Sequence, residues 1–141
     1  MNGKFENSVF PGEDQIKDMQ ASVPEGPIVM VNLLKFRDRA RYADGRATNL
    51  SGREAYMIYG REVPKLVIKH GGKIIFVGDV RFMMLGRAEP LWDEVALAQY
   101  PSRRALFEMS MSPEWMEIAV HRTAGLEGQL NIETTPSMVG V

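Results

Sequence analysis

The run Ile28 to Phe36, IVMVNLLKF, is apolar on both of its alternating sets, with Val29, Val31 and Leu33 on one side and Ile28, Met30 and Leu34 on the other. Side chains alternate faces along a strand, so this pattern describes a central strand that needs cover on both sides. Asn32 is its one polar interruption. Lys73 to Gly86 repeats the pattern, with Ile74, Phe76, Val80 and Phe82 against Ile75, Val77, Met83 and Leu85, and reads as one long strand bent at Gly78-Asp79. Leu91 to Tyr100 forms a third strand. Leu126 to Ile132 alternates, with Leu126, Leu130 and Ile132 against Glu127, Gln129 and Asn131, as a half-exposed edge strand does.

Helices separate these runs. Ser51-Gly52-Arg53-Glu54 has the serine and glutamate spacing of a capping box, so a helix starts near Ser51. Ala55, Ile58, Tyr59, Glu62, Val63 and Leu66 continue it at helical spacing; Gly60 and Pro64 are expected to weaken or kink it, and Gly71-Gly72 to end it. Ser102 and Ser112-Pro113-Glu114 supply two further starts, for two short helices or one broken helix. The order β-α-β-β-α-β is the split βαβ motif, which puts both helices on one face of a four-stranded antiparallel sheet. The other face is then bare and apolar, and a homodimer with the two sheets packed face to face, an α+β barrel, would cover it.

The 141 residues and 45% hydrophobic content fit one folded domain. Residues 1–26 read as a polar extension with a short amphipathic helix around Ile16 and Met19, residues 27–135 as the α+β domain, and residues 136–141 as a tail able to reach across a partner. A net charge of −1 with mixed signs gives no field favouring nucleic acid or a membrane surface, so neither partner is expected. There is no cysteine and no apolar N-terminal run, which points to a cytoplasmic protein of bacterial type.

The stretch LWDEVALAQYPSRRALFEMSMSPEWMEIAVHRTAGLEGQ, Leu91 to Gln129, resembles the second half of the DUF1330 family. The resemblance covers about Pro27 to Glu133, with Gly71-Gly72, Trp92, Ser112-Pro113-Glu114-Trp115 and Arg122 as its markers in order. It leaves out the N-terminal extension and the arginine-rich loop. It implies a ferredoxin-like fold and a dimeric α+β barrel, in a family whose function is largely unassigned. The wider barrel group includes cofactor-free oxygenases, isomerising enzymes and haem-degrading proteins.

No G-x-S-x-G elbow, phosphate-binding glycine loop or H-E-x-x-H motif is present. With His70 and His121 the only histidines, no metal and no cofactor are expected. His121 could act as acid or base and Arg122 could hold a carboxylate or enolate; alternatively both cap helix-terminal carbonyls. Trp92, Glu94, Ala96, Ala98 and Tyr100 share a strand face on which two alanines leave space, either for a ligand or for a close helix. Glu94 is a candidate base there, or a partner of Arg81 or Arg122. Asn32 could polarise a bound carbonyl, or be satisfied by backbone. Tyr56 and Tyr59 offer hydroxyls toward the same crevice or simply fill core. Lys35, Arg37, Arg39, Arg41 and Arg46 could draw in an anion, or form a solvated loop.

Two functions remain open at this level. One is a binding protein that holds a small carbonyl- or carboxylate-bearing molecule against Arg122, Asn32, Trp92 and Tyr59. The other is a cofactor-free monooxygenase or isomerase that abstracts a proton next to a carbonyl, with His121 or Glu94 as base.

Overall fold

A computed structural model of the chain describes residues 7–21, 26–88 and 92–137. In chain order the elements are α1 (Glu13–Ala21), β1 (Ile28–Phe36), α2 (Gly52–Lys69), β2 (Lys73–Asp79), β3 (Glu94–Tyr100), α3 (Arg103–Ser110), α4 (Pro113–Gly125) and β4 (Leu126–Thr134). The strands form one sheet in the order β2-β3-β1-β4, every neighbour antiparallel, which is the ferredoxin-like arrangement within the α+β class. The start expected at Leu91 and the last residues of the tail lie outside the described residues.

The local signals act as their chemistry requires. Ser51 accepts from the Glu54 N–H while the Glu54 side chain accepts from the Ser51 N–H, so the capping box is complete and α2 begins at Gly52. α2 then runs unbroken through Gly60 and Pro64 to Lys69. Gly71, at φ 87°, turns the chain out of the helix, and a side chain at Gly72 would collide with the Gln99 carbonyl of β3. Ser102 and Ser112 each accept a backbone N–H three residues on, giving α3 and α4 as separate helices.

Register assigns the faces. Ile28, Met30, Leu34 and Phe36 of β1 look toward the helices with Ala98 and Tyr100 of β3; Ile28 and Met30 pack with Ala98 and Tyr100 on Val67 of α2 and Met109 of α3, and Leu34 and Phe36 pack separately with Leu126 and Tyr56. The opposite face carries Val29, Val31 and Leu33, flanked by Val95 and Leu97 and by Leu130 and Ile132, and among the described residues no helix packs on it. Phe76 and Ile132 on that face stay 54% and 46% exposed. Among the described residues, no helix is long and apolar enough to cross a membrane.

Two strands differ from the sequence reading. β2 ends at Asp79, where its neighbour β3 begins at Glu94, and the last bond across the pair is from the Val80 N–H to the Asp93 carbonyl at 2.9 Å. Residues 81–88 leave the sheet and expose Phe82, Met84 and Leu85. In β4 a register shift between Lys35 and Phe36 pairs Leu126 with Phe36 and Gly128 with Lys35, leaving Glu127 as the extra residue. Leu126 and Gln129 therefore both face the helices, whereas plain alternation put them on opposite sides.

The arginine-rich loop is folded onto the domain. Arg37 N–H and Arg41 N–H donate to the carbonyls of Gly125 and Ala124 at 2.8 and 2.9 Å, satisfying two acceptors that the end of α4 leaves open. Ala40 and Tyr42 are buried with Ala55 and Ala124 in a small cluster of their own.

Candidate functional site

Two rows of residues cross the helix-facing side of the sheet. Gln129, Leu34, Glu94 and Asp79 make one row from β4 to β2, and Asn131, Asn32, Ala96 and Val77 make the next. α2 lies above them. Its Arg53 guanidinium stacks over the Phe36 ring at 4.8 Å, and one turn later the Tyr56 ring sits 5.2 Å from the same ring.

Arg122 of α4 reaches down at the β4 end. Its Nη2 donates to Gln129 Oε1 at 2.6 Å and to the Val9 carbonyl at 2.9 Å. Gln129 Nε2 in turn donates to Asn32 Oδ1 at 2.7 Å, and Asn32 Nδ2 donates to the Ala96 carbonyl at 3.2 Å. A polar chain thus runs from the helix into the centre of the sheet. Both acceptors of Arg122 are neutral, and among the described residues its Nε and Nη1 hydrogens meet no acceptor and no carboxylate pairs with it.

Glu94 lies on the other side of Leu34. Its side chain is 8% exposed, and its nearest charge partner is Arg53, Nη1 to Oε2 at 3.5 Å; that guanidinium also contacts Asp79 at 3.0 Å. The partner is neither Arg81 nor Arg122. Burial raises the Glu94 pKa, Arg53 opposes the rise, and Asp79 and Asp93 add to it.

Tyr56 and Tyr59 stand between these ends, their rings 5.4 Å apart. Tyr59 is buried and its hydroxyl accepts from Trp115 Nε1 at 3.2 Å. Burial pushes the Tyr56 phenol pKa far up; Tyr59 and Glu94 act in the same sense and Arg122 against it. Tyr100, also buried, has a phenol raised by burial and then by Tyr59. Neither the Tyr56 nor the Tyr100 hydroxyl has a hydrogen-bond partner among the described residues, yet no side-chain polar atom fully sealed from solvent lacks one. Both phenols therefore border water-accessible space. Trp92 is buried two residues before β3, and the adjoining Asp93 accepts the Phe36 N–H at 2.8 Å.

His121 is apart from Arg122. Neighbours on a helix point about 100° apart, and His121 turns to the loop, where Nδ1 and the Tyr42 hydroxyl are 2.7 Å apart. Burial, then Arg46, lowers the imidazole pKa. Arg46 itself lies over the Tyr42 ring and grips Asp44, whose pKa that hydrogen bond brings to about 2. A shallow groove of about 310 Å³ beside this cluster is lined by Phe10, Tyr42, Asp44, Trp115, Met116 and Val120, on the outer flank of α4. Among the described residues no three histidine, aspartate or glutamate side chains converge as a metal site.

The structure thus joins Arg122 to Asn32 through Gln129, sets Glu94 on the same sheet face across Leu34 with Arg53, buries Tyr59 against Trp115, buries Trp92 two residues before β3, and turns His121 to the loop. Gln129 and Arg53 were not foreseen. Gln129 was assigned to the exposed set because the bulge leaves no mark in the alternation, and Arg53 could have been suspected as the only cation in the first turn of α2.

The chain resembles known proteins over nearly its whole length. The family model described as a domain of unknown function, DUF1330, matches residues 42–134. A protein of unknown function from Rhodopseudomonas palustris is 34% identical, with 94% of this chain and 99% of that one covered and a TM-score of 0.83. The methylated form of the same protein gives 36% identity, coverage of 96% and 98%, and a TM-score of 0.84. An uncharacterized NIPSNAP domain protein from Burkholderia xenovorans shares the fold at 13% identity, with 79% and 96% covered and a TM-score of 0.51. No curated protein matches.

Proposed function

Because the chain belongs to the DUF1330 family of domains of unknown function, we propose its role from the crevice itself: it binds a small organic molecule through a carboxylate or carbonyl oxygen held by Arg122. One observation carries this reading. A guanidinium turned into a helix–sheet crevice, with neutral acceptors on one nitrogen and unused donors on two others, is short of an anion that a ligand oxygen would supply. Asn32 and Gln129 fix its orientation, and Tyr59 and Trp92 supply apolar walls. The family match includes Tyr59, Trp92, Glu94, Arg122 and Gln129 but not Asn32.

The binding unit in this proposal is a cytoplasmic homodimer. The bare sheet face, with Val31, Leu33, Leu97 and Leu130 at its centre, is the surface a second copy would cover. Native mass spectrometry of protein purified from its own host would report both the dimer mass and any retained molecule. Arg122→Ala should weaken binding of a carboxylate ligand by about 1.5–3 kcal/mol, the scale of a charged hydrogen bond, with the fold intact. Unchanged affinity would remove Arg122 from the site.

The second reading is a cofactor-free enzyme that takes a proton from carbon next to a carbonyl. Glu94, buried and with its pKa raised, is the group that favours it, with Arg122 stabilising the enolate. Solvent deuterium appearing at that carbon of the bound molecule, and its loss in Glu94→Gln, would separate catalysis from binding.

A further inference from the structure

Resting on the reading that Arg122 holds the ligand's anionic oxygen, we propose that Glu94 and Tyr56 make the crevice selective for hydroxy acids, molecules with a neutral hydroxyl remote from the carboxylate. Glu94 is the first reason. Its side chain is 8% exposed, its nearest charge is Arg53 at 3.5 Å, and among the described residues its carboxylate accepts no hydrogen bond. No sealed polar side-chain atom lacks a partner, so its oxygens border accessible space, and with about four lone-pair positions the carboxylate can accept a donor that enters there.

Position is the second reason. Glu94 and Gln129 both pair with Leu34, from opposite sides, so the strands beneath Glu94 and beneath the Arg122–Gln129 contact are two inter-strand steps apart, roughly 10 Å. The two charges stand on either side of Leu34, and Tyr56, with its ring 5.2 Å from Phe36 and 5.4 Å from Tyr59, has a hydroxyl with no hydrogen-bond partner among the described residues. A ligand oxygen bound to Arg122 can take its second hydrogen bond from Tyr56, and a hydroxyl at the far end can donate to Glu94.

Arg53 stands 3.0 Å from Asp79 and 3.5 Å from Glu94, so it is drawn more to the aspartate and leaves Glu94 lone pairs for a hydroxyl donor. The Arg53 guanidinium is held over the Phe36 ring and so cannot easily withdraw.

The test uses benzoate, 3-phenylpropionate and cinnamate, each beside its 4-hydroxy counterpart, titrated by calorimetry into the full-length protein at fixed pH. At least one hydroxy acid is expected to bind about tenfold or more tightly than its parent, the scale of a hydrogen bond to a charged group. Glu94→Gln should shrink that preference and Glu94→Leu abolish it, read as the ratio of the two affinities within each pair. Tyr56→Phe should weaken both members of each pair equally. Equal affinity of acid and hydroxy acid across the panel, with both weakened by Arg122→Ala, overturns the hydroxy-acid proposal and leaves the carboxylate reading standing. Binding of no acid at millimolar concentration overturns both. Loss of the preference in Glu94→Gln together with a lowered unfolding midpoint is decided by Glu94→Leu: a stable leucine variant that still prefers the hydroxy acid refutes the role of Glu94.

Discussion

Gly60 and Gly125 should answer the same substitution with opposite signs. Gly125 ends α4 where it crosses the start of α2, and a Cβ there would run into the Gly52 carbonyl and come within 2.9 Å of the Tyr56 N–H nitrogen. Both obstacles are backbone, so the helices must part. Overpacking of this kind costs about 3 kcal/mol, and the better helix propensity of alanine returns up to about 1 kcal/mol. Gly125→Ala should therefore lose about 2 kcal/mol, a fall in Tm of about 6–8 °C for a chain of this size. Gly60 lies inside α2 and its Cβ would meet nothing within 4 Å, so Gly60→Ala should gain up to about 1 kcal/mol. Thermal and urea unfolding of the two variants beside wild type provide the measurement. A Gly125→Ala protein as stable as Gly60→Ala would show that the helix crossing is looser than described, and with it the placement of Tyr56 and Arg122.

Three shorter expectations follow from the same structure. Trp92→Ala should cost about 3–5 kcal/mol by cavity formation, and an unmoved urea midpoint would place the indole at a surface instead. The raised Glu94 pKa means the folded state keeps a proton that the unfolded chain gives up, so stability from this group falls as pH rises above 4.5; Glu94→Gln should flatten that slope, and an unchanged slope would contradict the burial. His121 has the opposite sign, its folded pKa lying below 6.5, so its contribution is lost as pH falls below that value; an NMR titration of the imidazole with a midpoint at or above 6.5 would contradict its burial beside Arg46.

The legible parts of the fold are those written over short distances. Ser51 and Glu54 form their capping box within four residues, and the Glu94, Ala98 and Tyr100 face of β3 follows from alternation along one strand. Alternation and cap signals supplied the order of elements, the family resemblance implied the ferredoxin-like fold, and the topology agrees with both. What escaped depends on partners remote in sequence. Arg53 finds Glu94, and Tyr42 finds His121 79 residues away, through tertiary packing that no local pattern records. The bulge at Glu127 escaped for another reason: its cause is the pairing with β1, and a strand read alone has no register. Arg122 and Asn32 were named as partners in one site, but the residue that joins them, Gln129, became visible when that register was known.

The contact between Arg122 and the Val9 carbonyl bears on how the protein is handled at the bench. Val9 belongs to the segment before β1, and its neighbour Ser8 bridges to Gln129 on the open edge of β4. The same guanidinium that faces the crevice therefore anchors the leading segment, and the two are mechanically linked. A purification tag or a trimmed start would pull on that anchor and change the affinity being measured, whereas a tag after β4 would not touch it. Affinities from two preparations that differ solely in how the chain begins would then disagree, with neither titration at fault.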